Sequence, residues 1–135
     1  MGDVRAEATK LEGEMKSVVD AKGADQFHTA MDVLQKDVAE LRKDPKFATD
    51  VLKQITTDAQ NSNDLPKISV HSDESGVAQY FFFGANPKDE NGNHHMAISE
   101  ALTDEGKKAL KEGPPDGFME FMKSLNPPAE SMLKA

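Results

Sequence analysis

The spacing of hydrophobic positions changes once along this chain, near residue 67, and the change divides a helical half from a β half. Val4, Ala8, Leu11, Met15, Val18 and Val19 recur at steps of about three and four, the spacing of one helical stripe. Phe27, Met31, Leu34, Val38 and Leu41 repeat that spacing after a stop at Gly23. The short AKGAD connection between the stripes predicts two antiparallel helices packed face to face. Gly13 weakens the first arm by about 1 kcal/mol relative to alanine. Asp44-Pro45 opens a third helix, because the carboxylate accepts from unpaired amides of the first turn and proline sits where no N–H is needed. Phe47, Val51, Leu52 and Ile55 give it an apolar face, and the polar loop NSNDLP ends it.

From Ile68 the period is two. Ile68 and Val70 alternate with Ser69 and His71, DESG makes a turn, and Val77, Gln79, Phe81 and Phe83 alternate with Ala78, Tyr80 and Phe82. An even loop places Ile68, Val70, Val77, Phe81 and Phe83 on one face of the hairpin, and only an odd loop or a bulge mixes the faces. HHMAIS is expected to add a third strand, with His94, Met96 and Ile98 opposed to His95, Ala97 and Ser99. Thr103-Asp104-Glu105 starts a short helix that stops at GPPDG. Asp116 is expected to cap a last helix, whose Phe118, Phe121, Met122 and Leu125 fall on one face. The expected fold class is therefore α+β. A single domain spans residues 1–125, with helices over 1–60, a β hairpin or meander over 68–99 and short helices over 103–125, followed by a disordered tail at 126–135. The absence of βαβ alternation argues against a Rossmann-type domain.

Composition narrows the roles open to such a fold. A chain of 135 residues with 37% hydrophobic and 30% charged positions buries one modest core. The formal charge is −8, and residues 68–105 alone hold seven acids against one base. That field repels phosphate backbones and anionic membranes and favours basic partners. With no cysteine, disulfides, thiolate nucleophiles and cysteine-held metals are excluded. No apolar run approaches the roughly 18 residues of a membrane span, and MGDVRAEATK lacks the apolar core of a signal peptide, so a cytoplasmic location is expected.

Candidate chemistry concentrates in QYFFFGANPKDENGNHHM, residues 79–96. Asp89, Asn91, Asn93 and Glu100 match four positions of an EF-hand loop, but His94 stands where the sharp turn needs glycine and no helix precedes. His94 and His95 are adjacent on a strand and point to opposite faces, so regular structure does not let them chelate one ion, and neither a metal nor a cofactor is expected. His28 and Asp32 share a helix face, a pairing that 24 acids on a small surface produce by chance. No phosphate-cradling glycine loop, GxSxG or HExxH occurs, and the chain is read as a non-enzyme. With Phe81 and Phe83 assigned to the helix-packed face, Tyr80 and Phe82 join His71 and His95 on the other. Those four residues are either an exposed recognition patch beside acidic loops or a second core layer under the last helix.

RKDPKFATDVLKQI, LPKISVHSDESGVAQYFFFGANP and ALTDEGKKALKEG stand in the order helix, LP-led hairpin and closing helix. In that order residues 41–113 resemble the leader segments of nitrile-hydratase-leader-like precursor peptides of ribosomally made natural products. The resemblance implies a leader that docks on a modifying enzyme and is cut at a double glycine. Here Glu112-Gly113 is followed by Pro114-Pro115, no cysteine is available for thioether chemistry, and the N-terminal hairpin lies outside that pattern. Three roles follow: a non-enzymatic protein-interaction module, the leading one; a leader-type precursor; and a metal-dependent enzyme. The first implies an unidentified protein partner of basic character, no nucleic acid and no membrane, and a monomer or weak homodimer. Its contact surface is either the outer helical stripe or the Tyr80/Phe82 face.

Overall fold

Side-chain caps set three of the helix starts. Asp3 accepts from the Arg5 amide at 2.9 Å, Asp44 from the Phe47 amide at 3.1 Å and Thr103 from the Gly106 amide at 3.0 Å. The computed structural model describes residues 3–62, 64–84, 97–113 and 117–125. Helices α1 (Val4–Asp20), α2 (Ala24–Arg42) and α3 (Pro45–Gln60) come first. Strands β1 (Lys67–Ser72), β2 (Ala78–Gly84) and β3 (Ala97–Ala101) form one antiparallel sheet in the order β1-β2-β3, and α4 (Asp104–Glu112) and α5 (Phe118–Ser124) follow. The fold is α+β. Asp116, the expected cap of α5, lies outside the described residues, and Gly117 holds the cap position without a side-chain bond.

The sheet is a middle layer. On one side α1 lies between α2 and α3, and Leu11, Met15 and Val18 interlock with Leu34, Val38, Val51, Leu52 and Ile55. This core continues onto the sheet through Phe81 and Phe83, with half-buried Ile68, Val70 and Ile98 at its margin. On the other side Tyr80 and Phe82 pack against Phe121, Met122 and Leu125, with Ala109 and Leu110 of α4 alongside. Four consecutive aromatics, Tyr80 to Phe83, thus serve two cores, two residues to each, as strand geometry demands.

One expected face assignment is corrected. The register runs Val70↔Phe81 and His71↔Tyr80 but then Ser72↔Ala78, so Gln79 is an extra residue and the strand bulges. The bulge reverses the alternation. Ala78 is fully buried with Phe81 and Phe83, and Val77 is only half-buried. The turn before it is tied by Asp73, whose Oδ1 accepts from the Ser75 amide at 2.9 Å, the Ser75 hydroxyl at 2.7 Å and the Val77 amide at 3.0 Å. Gly76 supplies the positive φ of 86° that this turn requires.

At the bulge the backbone bonds outside the sheet. The Ala78 amide donates to the Thr49 hydroxyl of α3 at 2.8 Å, and Thr49 in turn donates to the Pro45 carbonyl at 2.8 Å. The Gln79 carbonyl accepts from the amides of Leu102 at 2.7 Å and Thr103 at 3.3 Å. Thr49, 5% exposed, is the buried polar residue among the described core positions, and its hydroxyl joins helix layer to sheet. Gly106, in the first turn of α4, lies so close to Gln79 that a Cβ there would collide with the carbonyl.

Thr49→Val preserves shape but strands a buried amide, so urea unfolding is expected to show a loss of about 1–3 kcal/mol, with Thr49→Ser much closer to the parent. Alanine scanning of two helical glycines separates space from propensity. Gly106→Ala is expected to lose roughly 1–3 kcal/mol by overpacking, whereas Gly13→Ala, with open space around it, is expected to gain about 0.5–1 kcal/mol in the same assay.

Candidate interaction surfaces

Of the residues singled out as a surface patch, Tyr80, Phe82 and His71 are brought together, with both Tyr80 and Phe82 buried. Tyr80 and Phe82 are 3% and 1% exposed, and α5 lies over them. The Phe82 ring meets Phe118 edge-on at 5.3 Å and Phe121 at 5.6 Å between centroids. The exposed reading of this face is therefore corrected. Phe118, Phe121 and Met122 occupy one side of α5, and two aromatic rings on the sheet are the surface that covers them. Half-buried His71 stacks on Tyr80 with centroids 4.6 Å apart and planes 6° from parallel. His95 lies outside the described residues, as do His94 and the turn from Asp89 to Asn93. Glu100 sits on β3 opposite Phe81, on the bundle side, where burial raises its pKa against a hydrogen bond with Gln35 that lowers it. Among the described residues no three His, Asp or Glu converge as metal ligands. His28 and Asp32 are both exposed on α2.

The unforeseen chemistry lies along α1. Because α1 has a helix on each side, the positions flanking its apolar stripe are half-buried, and two of them are glutamates. Glu12 Oε2 and Glu14 Oε1 are buried without a donor. Each faces a second acid, Glu12 toward Asp58 of α3 and Glu14 toward Asp37 of α2. Two carboxylates cannot bond each other, but one proton per pair completes a hydrogen bond. Burial first, then the bond to Asp58, pushes Glu12 up to about 7. Burial first, then the bond to Asp37, pushes Glu14 up to about 8. Asp58 and Asp37 are held below the usual aspartate range, chiefly by the glutamates that donate to them. Asp58 also accepts from Gln54 at 2.9 Å, and Lys10 lies 3.4 Å from Asp37. Acidic residues in a helix are the ordinary mark of a solvent face, so the sequence carries no signal that these two are half-buried.

Glu14 also opens onto the surface. A groove of about 600 Å³ runs between α1 and α2 toward their connection, with Ala21, Ala30 and Val33 as its apolar lining. Val33 is 46% exposed, one of two large apolar side chains so exposed among the described residues. The ionisable side chains lining the groove are Glu14, Asp20 and Asp25, all acidic.

Neither a protein-family model nor a curated protein nor a solved structure matches the chain. Among the described residues no helix is long and apolar enough to cross a membrane.

The acid pairs fix the sign of a pH dependence. Glu12 and Glu14 hold a proton more tightly folded than unfolded, so their contribution is complete below the ordinary glutamate value and is lost as pH rises through about 7 and about 8. Asp37 and Asp58 act in the opposite sense, but only as pH falls toward and below the ordinary aspartate value, and are ionised in both states at neutral pH. The melting temperature followed by circular dichroism is expected to fall from about pH 5 to about pH 8, between the ordinary glutamate value and the raised ones, and the double variant Glu12→Gln, Glu14→Gln to flatten that fall.

Proposed function

We propose that the protein is a non-catalytic interaction module that takes a basic, amphipathic helical segment of a partner protein into the α1–α2 groove. The observation that carries this reading is the groove itself, with an apolar lining that includes half-exposed Val33 and with charged groups that are all carboxylates. A third helix laid along two packed helices buries its apolar stripe on Ala21, Ala30 and Val33. Its lysines or arginines then reach Asp20 and Asp25. The apolar contact supplies affinity, at roughly 25 cal/mol per Å² removed from water. The acids supply encounter rate and partner choice, which the overall charge of −8 reinforces at longer range.

A labelled amphipathic helix with leucine on one face and lysine on the other serves as the probe. Fluorescence anisotropy is expected to show saturable binding that weakens on going from about 0.05 M to about 0.5 M salt. The double variant Asp20→Lys, Asp25→Lys is expected to lose about tenfold in affinity, since two rim pairs at about 0.7 kcal/mol each amount to that factor. Val33→Asn is expected to weaken binding several-fold through lost apolar contact. Equal binding of the same helix with glutamate in place of lysine, or indifference to these variants, would sink the proposal.

A further inference from the structure

The groove between α1 and α2 leaves the sheet out of account, and the sheet has an open side of its own. Strand β1 pairs with β2 alone and stands at the end of the sheet order. In an antiparallel edge strand, alternate residues turn both N–H and C=O away from the neighbour. Among the described residues, Ile68 to Ser72 make no backbone bond outside the sheet. Proteins guard such edges with charge, proline or bulges, and here Pro66, Lys67 and the irregularity at His71/Ser72 guard only the two ends.

A second groove, of about 680 Å³, lies against the first half of this edge, from Lys67 to Ser69, and against Ser62 and Leu65 of the connection from α3. Its floor includes Ile68, which points to the bundle side, and Ser69, which points to the α5 side, so the groove lies at the level of the sheet. Thr56 and Ala59 of α3 wall it on one side and Gly117 and Phe121 on the other. Side chains from both helical layers thus flank this part of the edge.

We infer that this slot receives an extended segment of a partner protein, which adds to β1 as a fourth strand. A helix has its backbone groups already paired within itself and leaves the outward groups of β1 without partners. Only an extended chain both fits and satisfies the outward groups of β1. The α3 wall carries no charge, whereas Lys67 and Glu120 line the slot on the α5 side. The segment therefore alternates, with apolar side chains toward Ala59 and Ile68 and polar ones toward α5. None of these residues lines the α1–α2 groove, and the inference stands whether or not that groove is occupied.

Two measurements on the full chain test it. In amide exchange by NMR at monomer concentration, alternate amides between Ile68 and Ser72 are expected to exchange fast. Protection of all of them would mean that the chain itself fills the slot, and self-association that protects them would assign it to a second copy; either overturns the inference. Display selection with random peptides about twelve residues long is then expected to enrich alternating apolar sequences that shift the amides of Lys67 to Ser72. Ala59→Arg, checked for unchanged melting, is expected to weaken the selected peptide at least tenfold while Val33→Asn leaves it unaltered. Methylation of alternate peptide nitrogens removes the strand bonds without touching the protein, and is expected to abolish binding. No enrichment, selected peptides that bind as helices, or a footprint away from β1 would each overturn it.

Discussion

Strand β2 sets a requirement that the rest of the molecule meets. Tyr80, Phe81, Phe82 and Phe83 are consecutive, and a strand sends consecutive side chains to opposite faces, so neither face of the sheet can be left to water. Full burial of each ring is worth on the order of 1.5–3 kcal/mol. The bundle of α1, α2 and α3 covers Phe81 and Phe83, while α4 and α5 cover Tyr80 and Phe82. The bulge at Gln79 belongs to the same requirement. It turns Ala78 rather than Val77 into the bundle core, and it is held from both sides, by the Thr49 hydroxyl in one layer and by the backbone of Leu102 and Thr103 leading into the other.

Much of this fold is legible in the sequence. The stripes of α1 and α2, the Asp44-Pro45 start of α3, and the alternation of Ile68, Val70, Phe81 and Phe83 each express a single dominant periodicity, and the elements follow it. The bulge escapes such reading because periodicity assumes an unbroken register. Nothing in VAQYFFF marks Gln79 as extra; the groups that hold the bulge are distant in sequence, the Thr49 hydroxyl in α3 and the backbone of Leu102 and Thr103 beside Gly106. The fate of Tyr80 and Phe82 was open for a related reason. A strand shows which residues share a face but not what covers that face, and the cover comes from α5.

The electrostatic character of the bundle was the least legible part. Counting charges gives −8 and suggests repulsion throughout. In the structure, two of those charges are tempered by position. Glu12 and Glu14 each face an acid on a neighbouring helix, and burial together with that neighbour raises their pKa values to about 7 and about 8, so a formal count overstates the negative charge along α1. The bundle is therefore held by apolar contact at its centre, with paired acids of raised proton affinity along its seams.

The order of synthesis gives the cover of the second face a temporal meaning. Gly84 ends β2 and Phe118 begins α5, 34 positions apart. At about 5–20 residues per second the ribosome releases the strand roughly 2–7 s before the helix that shields it. The bundle side has no such delay, since α1, α2 and α3 precede the sheet in the chain. The nascent protein thus carries a bundle able to cover Phe81 and Phe83 and an aromatic strip, Tyr80 and Phe82, whose α5 cover is still to come, for an interval long compared with hydrophobic collapse. That strip is aromatic surface the growing chain holds without its final cover until α5 is made.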